Sequence, residues 1–158
     1  METRKIIILR GLYASGKTTW AKSWCEEAPE QRLRFNRDDI RNMLGKYWVP
    51  KRENIIDNIY WSFLEQATAS GYDVVIDNMN LNEKYIDEVK LFIEETNLWL
   101  NQSLANFKYE VEVKDFFNVP LQTCIDRDAK RDNPIGADII RMLYYKYKDK
   151  IAPWKYLN

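Results

Sequence analysis

Short aliphatic runs alternate with longer amphipathic stretches along this chain. Ile6-Ile7-Ile8-Leu9 is apolar at every position, the mark of a strand buried on both faces, and sets a first strand over about 4–10. A helix over about 17–27 follows, with Trp20, Ala21 and Trp24 on one face. Arg32-Leu33-Arg34-Phe35-Asn36 alternates as a short second strand, and Asp38 to Leu44 opens with acids, as the first turn of a helix does. Ile55, Ile56, Ile59, Phe63 and Ala67 recur at helical spacing over about 52–70, with Gly71 as the stop. Tyr72 to Asp77 reads as a buried strand that closes on a carboxylate. From about 82, Tyr85, Ile86, Val89, Phe92 and Ile93 form one helical stripe; the stretch 98–107 fits either an extension of that helix or a short separate piece. Tyr109 to Phe117 alternates as a strand, Val119-Pro120 opens a helix to about 131, Pro134 breaks it, and a last helix covers about 136–150.

Strands alternating with helices predict an α/β fold: one domain over 1–158, with a four-stranded, mainly parallel sheet and helices on both faces. Ligands of such sheets sit at the carboxyl ends of the strands, so the ends of strands 1, 2 and 3 should meet at one site.

Composition narrows the chemistry. Lys and Arg number 24 and Asp and Glu 24, for zero net charge, so the basic footprint of a long-duplex binder is missing, while contact through one or two phosphates stays open. No apolar stretch reaches membrane-spanning length, and the N-terminus runs straight into a strand with no secretory signal. Cys25 and Cys124 are far apart and read as reduced thiols, which points to the cytoplasm, that of a phage host included. The chain has no histidine, so proton transfer falls to a carboxylate, Lys, Tyr or water.

The sharpest signal is Gly11-Leu12-Tyr13-Ala14-Ser15-Gly16-Lys17-Thr18, a phosphate loop set between the first strand and the first helix. Gly11 and Gly16 let successive N–H groups, through Ala14, Ser15 and on to Thr19, turn toward a phosphate chain. Lys17 adds a charge near the β and γ phosphates of ATP or another NTP, and Thr18 offers its hydroxyl to Mg²⁺.

Other candidates carry alternatives. Asp38 is either the general base for an attacking hydroxyl or a helix N-cap; a carboxylate is a weak base, but the hydroxyl becomes acidic only as the P–O bond forms, so position counts for more. Arg41, three residues on, shares its helical face and can clamp a second anion on the acceptor. Asp77 holds Mg²⁺ through water or caps a helix. Asn82 reads as an N-cap, and Asn80 faces either the site or the fold. Arg127, Lys130 and Arg131 lie on one helix face; they complement the helix dipole or form a helical lid, around 125–137, that brings an arginine to the γ-phosphate. Trp48, Trp61, Trp99 and Trp154 either stack on bases or pack, with packing the commoner use, and Tyr144-Tyr145-Lys146-Tyr147-Lys148 reads as a helix face of packed rings and solvated lysines.

GLYASGKTTW after strand 1, NRDDIR after strand 2, NLN after strand 3 and RDAKR before a proline together resemble the kinase domain of the phage-type polynucleotide 5′-kinases, over about 4–150. The resemblance implies a P-loop kinase fold with a lid. It also implies Mg²⁺-dependent transfer of the ATP γ-phosphate to 5′-hydroxyl ends of DNA or RNA, for nucleic-acid end repair. It places the general base on Asp38, the clamp for the 3′-phosphate of the terminal nucleotide on Arg41, and the ATP-phosphate contacts on Arg131, assisted by Arg127, with Lys17 and Thr18 in their usual roles. Aligned on NLN, the strand-3 acid of the family falls on Asn78, whereas this chain carries Asp77 one place earlier, and 97–108 is longer than in the family. No counterpart of the family's phosphatase domain follows, which predicts kinase-only chemistry with a phosphatase or ligase on another chain. Rival readings are a kinase of a nucleoside, sugar or antibiotic, a kinase of a hydroxylated base within phage DNA, and an ATP-binding module without turnover.

Overall fold

The computed structural model describes residues 1–156. Four strands, β1 (Glu2–Arg10), β2 (Arg32–Phe35), β3 (Asp73–Ile76) and β4 (Phe107–Asp115), form one sheet in the order β2-β3-β1-β4, every pairing parallel. The helices are α1 (Lys17–Glu26), α2 (Arg37–Met43), α3 (Glu53–Ala69), α4 (Glu83–Gln102), α5 (Leu121–Ala129), α6 (Ala137–Tyr147) and a short α7 (Ala152–Lys155).

The continuous apolar run of β1 has partners on both sides of the sheet. Ile6 and Ile8, in register with Val74 and Ile76 of β3, pack with Phe35, Tyr60, Leu64 and Val89 under α3 and α4. Ile7 and Leu9 point the other way, onto Ala21, Trp20 and Trp24 of α1. Each such aliphatic side chain, fully buried, contributes about 1.5–3 kcal/mol. A further apolar cluster joins α5, α6 and α7 to Leu12 and Leu81.

The ambiguous stretch after residue 97 resolves as helix: α4 runs unbroken to Gln102, anchored by buried Leu100, and the chain turns at Leu104 (φ 58°) into β4. Asn97 donates to the Tyr109 carbonyl at 2.9 Å and accepts from its N–H at 2.8 Å, so the helix covers part of the exposed edge of the sheet. Two positions leave their expected stripes. Ile55 and Tyr85 sit in the first turns of α3 and α4, about half exposed, and Tyr60 and Leu64 fill the inner face of α3 in place of Ile55. The pattern did not anticipate α7. Its Trp154 is buried against Phe117 and Tyr144 and donates Nε1–H to the Phe117 carbonyl at 3.1 Å. Trp154 is thereby a core residue, while Trp48 and Trp99 remain exposed.

Candidate active site

The loop after β1 requires its glycines. A Cβ on Gly11 would lie 2.7 Å from Ser15 Oγ, and Gly16, at φ 103°, caps α1 in a conformation that side chains disfavour. Lys17 is buried and folds back on this loop, its Nζ donating to the Leu12 carbonyl at 2.6 Å and to Ser15 Oγ at 3.3 Å. Burial pushes its ammonium down to about 8, against the opposing pull of Asp77.

Asp77, at the carboxyl end of β3, is 1% exposed. Its Oδ2 accepts from Thr18 Oγ1 and from Arg34 Nε, each at 2.8 Å. Arg34 spans two acids, reaching Asp39 Oδ2 through Nη1 at 2.6 Å. Asp77 Oδ1 is buried with no hydrogen-bond partner. The neighbouring Asn78 is occupied elsewhere, accepting from the Arg37 N–H at 2.9 Å, so Asp77 and not Asn78 meets the phosphate-loop threonine.

Asn36 ties the ends of β2 and β3 together. Its Oδ1 caps α2 by accepting from Asp39 N–H at 2.9 Å, and its Nδ2 donates to the Asp77 carbonyl at 2.6 Å. Because Asn36 is the cap, Asp38 has no capping duty and faces the site. Asp38 Oδ1 accepts from Arg41 Nη1 at 2.6 Å and from the Tyr47 hydroxyl at 2.7 Å. Arg41 in turn grips Glu53 with both sides of its fork, Nε and Nη2 each at 2.9 Å, which leaves one N–H on each terminal nitrogen for an incoming anion. Tyr47 and Glu53 escaped the sequence reading. Glu53 lies twelve residues after Arg41, on another helix, and no local spacing marks it.

Asn80 lines the cavity that contains Arg41 while its amide is bonded to backbone. At φ 47°, its amide donates to the Leu9 carbonyl at 2.7 Å and to the Asn78 carbonyl at 3.3 Å, fastening the loop after β3 to β1. Arg10 completes this fastening from the other side, bonding the Asn80 and Leu81 carbonyls at 2.8 and 3.0 Å. Asn82 caps α4 as expected, accepting from Lys84 N–H at 3.0 Å.

Two cavities flank Asp38. One, of about 940 Å³, is lined by Ala14, Gly16, Lys17, Thr18 and Thr19 together with Asp77, Arg127 and Arg131. The other, of about 460 Å³, is lined by Arg41, Trp48, Tyr60, Tyr85 and Tyr147 among others. Asp38 and Tyr13 belong to both walls. Lys130 is exposed, whereas Asp128 is buried and holds the turn after α5, accepting from the N–H groups of Ile135 at 3.1 Å and Gly136 at 2.9 Å, and from Arg131 at 3.4 Å. Among the described residues no three His, Cys, Asp or Glu side chains gather as a metal cage, and no helix is long and apolar enough to cross a membrane.

Residues 6–141 match the AAA domain family AAA_33, and the chain belongs to it. It is 26% identical over 164 residues to a putative bifunctional polynucleotide kinase/RNA ligase of Autographa californica nuclear polyhedrosis virus, an alignment that covers 92% of this chain and 21% of the viral protein. Its fold matches a chain of the Pnkp1/Rnl/Hen1 RNA repair complex with a TM-score of 0.68 at 22% identity, over 96% of this chain and 47% of that one. A second structure of the Pnkp1/Rnl/Hen1 complex matches at 0.60, again at 22% identity, over 80% of this chain and 40% of that one. The chain thus spans about a fifth of the viral relative and under half of each of these two structure chains.

Proposed function

We propose that this chain transfers the γ-phosphate of ATP to the 5′-hydroxyl end of a nucleic acid. The reading rests on one observation: Asp38, with Tyr13, Asn78 and Met79, lines both the Lys17–Thr18 cavity and the Arg41 cavity, and of these four it alone carries a carboxylate. A triphosphate in the first and an alcohol in the second would meet at that side chain. The hydroxyl oxygen bonds to the γ-phosphorus, the bond from that phosphorus to the β–γ bridging oxygen breaks, ADP leaves, and the alcohol proton passes to Asp38. Lys17 and the loop N–H groups hold the phosphates, and Arg127 and Arg131 face them from the lid side.

The donor set fits Mg²⁺. Thr18 Oγ1 and the partnerless, buried Asp77 Oδ1 are hard oxygens beside the phosphate loop, and Mg²⁺ takes one or two protein oxygens with phosphates and waters for the rest. Bound there, it would neutralise phosphate charge. Arg41 keeps two N–H groups for the 3′-phosphate of the terminal nucleotide. The names of the viral relative and of the matched complexes, with their kinase, ligase and RNA repair, support nucleic-acid ends as acceptors and a ligase as the partner that acts on the same ends.

The test is γ-labelled ATP with Mg²⁺ and a 5′-hydroxyl oligonucleotide beside its 5′-phosphorylated twin. Label is expected on the first alone. Label on neither, with transfer to a free nucleoside or sugar, overturns the reading in favour of a small-molecule kinase.

A further inference from the structure

We propose that the segment joining α2 to α3, residues 44–52, is a landing strip for the nucleotides that follow the terminal one, with Trp48 as the stacking platform for the second base and Lys46 and Lys51 as contacts for its flanking phosphates. The inference rests on the proposed placement of a 3′-phosphate at Arg41.

Connectivity supplies the first argument. A phosphate held by Arg41 is the ester that carries the next nucleotide, so the second residue begins at that guanidinium. The Arg41 guanidinium lies over the Trp48 ring, 5.8 Å from its centroid. Trp48 lines the acceptor cavity and is 55% exposed, so more than half of the indole stays open to receive a base.

Charge supplies the second. Within the cavity lining every charged side chain is paired: Asp57 with Arg37, Glu88 with Lys84, and Arg41 with Asp38 and Glu53. On the Trp48 side, Lys46 and Lys51 are exposed and form no ion pair among the described residues. Alternating cations and aromatic rings is the surface that single strands prefer.

Rigidity supplies the third. Arg52 donates to the carbonyls of Leu44 and Lys46, Pro50 opens a 3₁₀ turn over Pro50–Arg52, and Tyr47 is fastened to Asp38. The segment is therefore braced before any strand arrives, and ordering it on binding costs little.

The test compares two acceptors, a nucleoside 3′-monophosphate and a 5′-hydroxyl hexanucleotide, in wild type, Trp48→Ala, Trp48→Phe and Lys46→Ala/Lys51→Ala. Trp48→Ala should lower the ratio of hexanucleotide to mononucleotide kcat/KM about tenfold, and Trp48→Phe should recover most of it. The double lysine variant should flatten the dependence of log KM for the hexanucleotide on log salt by about 1.4, roughly 0.7 for each phosphate that is no longer neutralised. An unchanged ratio in Trp48→Ala, or equal losses on both acceptors, overturns the proposal while leaving the kinase reading intact. A wild type inert toward both acceptors removes the kinase reading and this inference with it.

Discussion

Tyr47 donates its hydroxyl to the same oxygen of Asp38 that takes Arg41 Nη1, at 2.7 and 2.6 Å, leaving Asp38 Oδ2 without a hydrogen-bond partner among the described residues. Two donors on one oxygen fix the plane of the carboxylate, and in the proposed reaction the free oxygen takes the substrate proton. Burial first, then hydrogen bonds with Tyr13 and Asp38, hold the Tyr47 phenol well above the usual tyrosine range, so it remains a donor at neutral and moderately alkaline pH. Tyr47→Phe should lower kcat about tenfold, the worth of a hydrogen bond to a charged group, with KM for ATP within about twofold of wild type. Asp38→Ala should abolish transfer and still bind ATP. Wild-type turnover in Tyr47→Phe would show that the carboxylate needs no such brace.

Lys17 should make nucleotide binding a proton-linked event. Burial lowers its pKa in the folded chain to about 8, and the negative charge of a triphosphate restores the charged form. Between about pH 8 and 10, ATP binding should therefore take up close to one proton, and affinity should weaken as pH rises above about 8. The sign for folding follows from the same depression. The unfolded chain holds this proton more tightly, so the cost of burying the charge is fully present below about pH 8 and fades as pH climbs toward 10.5. Calorimetric titration in buffers of differing ionisation enthalpy measures the uptake, and Lys17→Met should lose it. Uptake unchanged in that variant would assign the proton elsewhere.

The fold was legible because its signals are local. The unbroken apolar run at Ile6–Leu9, the phosphate loop behind it and the acid closing strand 3 each declare themselves within a few residues, and the sheet assembles them at one end. What the sequence withheld is what depends on partners distant along the chain. Glu53 reaches back to Arg41 from another helix, Arg34 pairs with Asp77 across adjacent strands, and Tyr47 arrives from a loop with no periodicity. Asn80 illustrates the converse: an amide next to the site in sequence, and on the wall of the Arg41 cavity, spends its donors on the backbone carbonyls of Leu9 and Asn78. Ile55 and Tyr85 fitted the helical stripes by spacing alone, yet they lie in first turns where the stripe reaches past the core cluster.

Arg34 is expected to set the metal requirement. It holds Asp77 Oδ2 at 2.8 Å while Oδ1 is left unpartnered, so it decides which oxygen of the carboxylate stays open. The Asp77 side chain is fully buried and Arg34 is 15% exposed, so removing the cation strands a buried negative charge. Arg34→Met should cost about 3 kcal/mol of stability, read by denaturant unfolding. In the protein that remains folded, the Mg²⁺ concentration for half-maximal transfer should rise several-fold. Arg34→Lys should restore part of the stability and not the double contact to Asp77 and Asp39, because an ammonium lacks the planar fork. A Mg²⁺ profile identical to wild type in Arg34→Met would reduce Arg34 to a structural counter-ion.

Asp128 should govern the lid. It is 1% exposed and its oxygens accept from two successive backbone N–H groups, Ile135 and Gly136, and from Arg131. One buried carboxylate thus holds the turn after α5 and contacts Arg131, which lines the cavity beside the phosphate loop. Asp128→Ala leaves the two N–H groups without acceptors, at about 1–3 kcal/mol each, and frees Arg131. Amide exchange over 130–136 should quicken while exchange in β1 and β3 stays slow, and kcat should fall about tenfold with a raised KM for ATP. Asp128→Asn keeps one acceptor oxygen and should fall between the two. If exchange quickens in the turn but kcat holds at the wild-type value, Arg131 does not depend on this anchor, and the segment is a connector and no lid.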